Sequence, residues 1–130
     1  MDSTLLALDA NSGWTIWRFR AMRPIISSPV VNNDTVYVGS SDGNLYALDI
    51  DSGRQLWAFE TRGQVTSSPE VWGDAVYFGS TDGGVYSLTQ KKGELRWRFE
   101  TNGPVISSPT IVDGVVYIGS SNHKLYALPA

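Results

Sequence analysis

VYVGSSDGNLYALD, residues 36–49, returns as VYFGSTDGGVYSLT at 76–89 and as VYIGSSNHKLYALP at 116–129. The spacing is 40 residues each time, without insertion or deletion. Trp17, Trp57 and Trp97 fall in equivalent places, as do Gly13, Gly53 and Gly93, and the triplet Ser-Ser-Pro recurs at 27–29, 67–69 and 107–109. Residues 44–83 and 84–123 agree at 16 of 40 positions, far above chance, so the chain is a repeat array. Each unit carries four strand signals. In the most complete copy they are 68–72, 75–80, 84–89 and 94–100. The strands are joined by short connections rich in Gly, Asn and Asp. Asn33-Asp34, Gly73-Asp74 and Asp113-Gly114 link the first two strands. Asp42-Gly43 and Asp82-Gly83 link the next two and suit a type I′ turn. The third connection ends in Gly13, Gly53 or Gly93, which suits a type I turn closed by a left-handed glycine.

The second strand decides the architecture. In VYVGS, Val36 and Val38 point to one side and Tyr37 to the other, so both faces are apolar. A sheet covered on both faces, four-stranded and repeated at about 40 residues, describes an all-β propeller of antiparallel blades. A two-sheet sandwich would not account for the constant period. The array divides into a half-blade at 4–23, whole blades at 24–63 and 64–103, and a blade of three strands at 104–128. That makes about three blades and thirteen strands within a single array over 1–130.

Composition narrows the function. The chain has 130 residues, a net charge of −3 and no cysteine. The missing cysteines exclude disulfides and thiolate chemistry. No basic run favours nucleic acid, and no apolar run approaches the length of a membrane-spanning helix. The start, Met1 followed by DSTLLALD, has no basic region or small-residue cleavage site, so no secretory leader is expected. The acids recur at turn positions, Asp42 with Asp82, Asp34 with Asp74 and Asp9 with Asp49, which points to turn chemistry. Asp49 and Asp51 lack the following glutamate of a calcium loop. His123 is a lone histidine at a turn, and the Ser-Ser-Pro serines are expected to satisfy backbone groups where the inner strand begins. No catalytic, metal or cofactor residue is expected. Arg18, Arg96 and Arg98, alternating with Trp and Phe, read as a solvated rim.

GSSDGNLYALDIDSGRQLW, residues 39–57, resembles the repeat of pyrroloquinoline-quinone-type propellers with their tryptophan-docking signature. The matching residues are Ala47, Asp49, Gly53 and Trp57, with Ala7, Gly13, Gly93, Trp17 and Trp97 in the other copies. The resemblance implies that each tryptophan packs on the neighbouring blade. The third copy has Ser87 for alanine and Thr89 for aspartate, which predicts a looser contact there. The family includes quinone-dependent alcohol dehydrogenases, a periplasmic scaffold of outer-membrane protein assembly, and sensor domains of kinases. The resemblance alone suggests an extracytoplasmic or periplasmic setting. The dehydrogenases of that family use calcium ligands, a catalytic aspartate and usually paired cysteines, and the last are absent here.

Residues that break the repeat are candidate partner anchors: Arg20, Met22 and Arg23 in the first interblade link, Trp72 at an inner hairpin, and Trp14 at an outer one. The reading is a non-enzymatic scaffold or sensor module. A fragment of a quinone-dependent dehydrogenase and a purely structural repeat fragment are the alternatives. The expected partner is a second copy of the chain, with a dimer favoured, or further blades of a longer chain; a peptide or protein is the other candidate. A second chain's Gly13 to Arg20 could supply the outer strand missing from 104–128. The duplicate third strands, 4–9 and 124–128, would then compete, and Tyr126 in place of Leu6 favours the C-terminal copy.

Overall fold

The structure is a computed structural model, and it describes residues 3–130. It contains thirteen strands: β1 (Thr4–Leu8), β2 (Thr15–Arg20), β3 (Val30–Asn32), β4 (Thr35–Gly39), β5 (Asn44–Asp49), β6 (Gln55–Glu60), β7 (Glu70–Trp72), β8 (Ala75–Gly79), β9 (Gly84–Thr89), β10 (Leu95–Glu100), β11 (Thr110–Val112), β12 (Val115–Ser120) and β13 (Lys124–Pro129). They form four antiparallel sheets in chain order: β1-β2, β3-β4-β5-β6, β7-β8-β9-β10 and β11-β12-β13. The described residues form no helix. Each sheet is one propeller blade or part of one, with its first strand innermost. Antiparallel order puts the inner and outer hairpins at one end of every blade. The middle turns and interblade links lie at the other end.

The register keeps two side-chain sets apart. Tyr37, Ala47 and Trp57 stand opposite one another across β4, β5 and β6 and face the next blade. Val36, Val38, Tyr46 and Leu48 face the preceding blade and receive Trp17 and Ala21, with Leu5, Ala7 and Phe19 against them. The next interface repeats this: Tyr37, Leu45 and Ala47 meet Val76, Phe78, Tyr86 and Leu88. One aromatic pair recurs across all three interfaces, Phe19 with Tyr46, Phe59 with Tyr86 and Phe99 with Tyr126, at 4.9, 5.6 and 5.2 Å between ring centroids. Burial on both faces is thus produced between blades rather than within one. This is why the middle strands alternate without any polar side.

The turns refine the sequence reading. Asp113 and Gly114 both have positive φ, as a type I′ turn requires, whereas Asn33 and Gly73 are positive only at the first turn residue. The Asp-Gly turns are not type I′. Gly43 N–H donates to Ser40 C=O and Ser40 N–H to Asn44 C=O, and only the glycine has positive φ. The result is a three-residue turn with a glycine bulge. It wins because Asp42 stays right-handed, where its carboxylate accepts the Asn44 amide. The outer turns are also wider than predicted: Gly13 and Gly53 donate to the carbonyl four residues back, Asp9 and Asp49. Each begins with an aspartate whose carboxylate accepts amides in the loop, Asn11 and Ser12 in the first and Ser52 in the second.

Candidate functional site

The tryptophans sit where adjacent blades meet. Trp17 Nε1 donates to the Ile50 carbonyl at 2.7 Å, and Trp57 Nε1 to the Gln90 carbonyl at 2.8 Å. In both cases the indole lies flat over the glycine of the next outer turn. A Cβ added to Gly53 would come within 2.4 Å of Trp17, and one added to Gly93 within 2.4 Å of Trp57. The predicted loosening at the Ser87 and Thr89 copy is absent, because the distances are the same. Ser87 is accommodated by a hydrogen bond from Arg96 at 2.7 Å, and Thr89 Oγ1 accepts the Glu94 amide, whose equivalents at Trp14 and Arg54 donate to Ser12 and Ser52. Trp97 packs, with Leu128 and Ala130, against Ala75, Tyr77 and Val116 in the last interface.

Gln90 escaped the sequence reading because it occupies an apolar position of the repeat, equivalent to Ile50. It is buried. Its side-chain carbonyl accepts from Asn32 at 2.7 Å, and its amide donates to Gly73 and Ala75. One side chain thereby ties the inner hairpins of two blades together. A polar residue breaking an apolar column was the available signal.

The serines behave as expected. Ser27 Oγ accepts the Gly39 amide and donates to its carbonyl, and Ser67 with Gly79 and Ser107 with Gly119 repeat this. The second serine of each triplet adds a ladder along the inner strands: Ser28 N–H donates to Ser68 Oγ, and Ser68 N–H to Ser108 Oγ, both at 2.8 Å.

The carboxylates are engaged by turns. Asp82 accepts the amides of Gly84 and Arg62 and the hydroxyl of Tyr86. Burial pushes the Asp82 carboxyl up, but the Tyr86 hydroxyl, these amides and Arg98 together hold it below its ordinary value. Burial and the Asp42 carboxylate push Tyr46 up to about 12. Arg18, Arg96 and Arg98 are exposed, as a rim would be, but Arg98 is also engaged. Its guanidinium lies 5.4 Å from the centre of the Tyr86 ring, donates to the Tyr86 hydroxyl at 3.0 Å and pairs with Glu100 at 2.9 Å. Arg96, also exposed, likewise folds back onto Tyr77 and Ser87. The engagement of Arg98 arises because Tyr86 offers a ring and an acceptor beside the outer strand, which a sequence read strand by strand does not show. This network borders an interblade groove of about 560 Å³ lined by Phe59, Arg62, Asp82, Tyr86 and Glu100.

The anchor candidates do not form one cluster. All five are exposed. Trp14 and Trp72 lie at the hairpin end of different blades, with Trp72 reaching toward Gly114 of the next inner hairpin. Arg20, Met22 and Arg23 lie together at the opposite end, where Met22 is 88% exposed and its amide donates to Asp42. His123 is an exposed turn residue with positive φ, in the place of Gly43 and Gly83. Among the described residues no three His, Asp or Glu side chains come together as metal ligands.

The model of a protein family described as outer membrane protein assembly factor BamB matches residues 1–130. Among solved structures, BamB from Moraxella catarrhalis is 26% identical, with a TM-score of 0.87 over 98% of this chain. The chain spans 40% of that protein's length. The computationally designed Ika4 protein is 17% identical, with a TM-score of 0.88 over 98% of this chain and 80% of its own. Quinohemoprotein alcohol dehydrogenase ADHIIG from Pseudomonas putida HK5 is 23% identical, with a TM-score of 0.73 over 92% of this chain and 19% of its own. No curated protein matches by sequence.

Proposed function

The chain belongs to the family of pyrroloquinoline-quinone-type propeller repeats described by outer membrane protein assembly factor BamB, and from that premise we propose that it is a non-enzymatic propeller module serving as a protein-interaction scaffold. The carrying observation is how its polar groups are used. Asp9, Asp49 and Asp82 accept turn amides, the serines bridge strand backbones, and the arginine nearest a cavity is held by Tyr86 and Glu100. The exposed surface at the blade ends includes solvated turn carboxylates and lysines such as Asp34, Asp74, Lys91 and Lys92, and what breaks the repeat among it is aromatic, thioether and guanidinium surface, the chemistry that anchors protein partners. Trp17 docked on Gly53 and Trp57 docked on Gly93, with Trp97, Ala7 and Ala47 packed in the interblade interfaces, serve to hold blades in register, while Gly13 stands clear of any indole, and Arg20, Met22, Arg23, Trp14 and Trp72 are the anchors. A share in outer-membrane protein assembly is the role the family match supports.

Two measurements test this. Titration with pyrroloquinoline quinone and calcium is expected to give no saturable heat, and micromolar binding or dye-linked alcohol oxidation would replace the scaffold reading with the dehydrogenase one. A photo-crosslinking residue placed at Met22 or Trp72 is expected to capture a protein partner in cells, and the same probe at the repeat-equivalent Arg62 or Val112 is not. Equal capture at both kinds of site would remove the anchors.

A further inference from the structure

Strand β1 stands to β2 as β5 stands to β6. The pairs Leu5↔Phe19 and Ala7↔Trp17 repeat Leu45↔Phe59 and Ala47↔Trp57. Leu5 and Ala7 accordingly pack against the second sheet, as Leu45 and Ala47 pack against the third. β13 carries the same two side chains at the same repeat positions, Leu125 and Ala127, yet Leu125 is 74% exposed. Beside it Tyr117 is 40% exposed, against 1% for its equivalent Tyr37. The complementary surface is open too. Val31 is exposed on the inner half of the second sheet, whereas its equivalent Val71 packs into the interface between the second and third sheets. The β1-β2 sheet has no inner strands to cover Val31. The interior interfaces therefore state what fits each open face: the front of a β11-β12-β13 sheet against the back of a β3-β6 sheet.

We propose that β1 is a displaceable cap. It fills the slot beside β2 that β13 of a second copy can take, and exchange of the two strands joins copies head to tail. One blade would then hold β11, β12 and β13 from one copy and β2 from the other. The exchange replaces Leu5 and Ala7 by identical side chains and one antiparallel ladder by another, so little is lost. It adds burial of Tyr117 and Val31, which β1 cannot reach, and apolar area removed from water decides such a balance. Two polar features continue across the joint. Ser108 N–H meets Ser28 Oγ of the second copy, extending the serine ladder. Arg18 of the second copy meets Tyr126, as Arg98 meets Tyr86. The proposal rests on blade geometry and stands whether or not the scaffold role holds.

The chain has no cysteine, so introduced thiols report cleanly. The pair Thr4↔Arg20 fixes the slot, and β13 in that slot brings Lys124 opposite Arg20 of the other copy. Directly paired residues lie about 4.5–5.5 Å apart at Cα, within disulfide range. An Arg20→Cys chain mixed with a Lys124→Cys chain is expected to give a covalent dimer as the main oxidised species. An Asp51→Cys chain in place of the first is not. A Thr4→Cys/Arg20→Cys chain, oxidised within itself, pins the cap, and light scattering is expected to show its self-association lost and restored on reduction. Circular dichroism verifies that each variant is folded. No crosslink above the Asp51→Cys control in a folded mixture, or undiminished association of the pinned chain, overturns the proposal.

Discussion

Gly13, Gly53 and Gly93 occupy the same outer turn with nearly the same φ, 76°, 72° and 68°, but only the last two lie beneath an indole. Nothing within 4 Å would meet a Cβ at Gly13. Alanine at any of the three pays the left-handed backbone cost, about 1–2 kcal/mol. In a chain diluted below the concentration at which copies associate, Gly13→Ala should cost only that. At Gly93 the added methyl would lie 2.4 Å from the Trp57 ring, where ordinary carbon contacts begin at about 3.5 Å, so the indole must move by about 1 Å. That motion breaks the 2.8 Å hydrogen bond to the Gln90 carbonyl, worth about 1 kcal/mol, and overpacks a filled interface at about 1–3 kcal/mol. Gly93→Ala is therefore expected to cost about 3–6 kcal/mol in urea denaturation followed by circular dichroism, about 2–4 kcal/mol more than Gly13→Ala. A double-mutant cycle isolates the contact: with Trp57→Ala already present, Gly93→Ala should fall to the Gly13→Ala value. Equal losses at Gly13 and Gly93 would refute the argument that the indole and the turn glycine hold blades together.

Trp57→Ala should itself cost about 3–5 kcal/mol, while Trp72→Ala, at an exposed hairpin, should cost under about 1 kcal/mol; equal shifts in urea midpoint would reverse the assignment of docked and free aromatics. The Asp82 carboxyl is held below its ordinary value in the folded chain, so its contribution is present above the unfolded pKa of about 4 and is lost as pH falls through the folded value. Urea midpoints measured from pH 7 to pH 2 should fall more gently in Asp82→Asn, and an unchanged slope would contradict this. Tyr46 is pushed up to about 12, so its contribution is complete below the unfolded tyrosine value of about 10 and is lost as pH rises through about 12. Tyr46→Phe should flatten the alkaline loss of stability in that window, and a profile identical to the parent chain's would rule it out.

The blades were legible because a 40-residue repeat multiplies every weak signal by the number of copies. A single VYVGS could be a strand of many sheets; three copies with two apolar faces require neighbours on both sides. Turn geometry was less legible. Asp42-Gly43 has the composition of a type I′ turn, and the choice between that and a bulged turn depends on where the Asp42 carboxylate finds an amide. Arg98 is exposed as its alternation with Trp97 and Phe99 predicts, but its partners were not legible: Tyr86 and Asp82 lie on a neighbouring strand and in the turn before it, contacts that strand-by-strand reading does not supply. Gln90 shows the opposite case, a residue whose departure from the repeat was visible while its side-chain partners Asn32, Gly73 and Ala75 were not. The anchor candidates were found by the same departure rule. The structure separates them into two ends of the array, because antiparallel order sends hairpins and links in opposite directions.

The blade face is the proposed unit of association, within the chain and between chains, and both exposed faces, at Leu125 with Tyr117 and at Val31, are equivalents of faces that are buried inside. Light scattering after size exclusion at micromolar concentration measures this directly. Two copies closing on each other would give a mass twice the 14.2 kDa of one chain, with the Leu125→Glu variant remaining at the mass of one. A folded, monodisperse chain of 14.2 kDa under the same conditions would contradict it, since it would mean that a blade face of this composition is stable in open water.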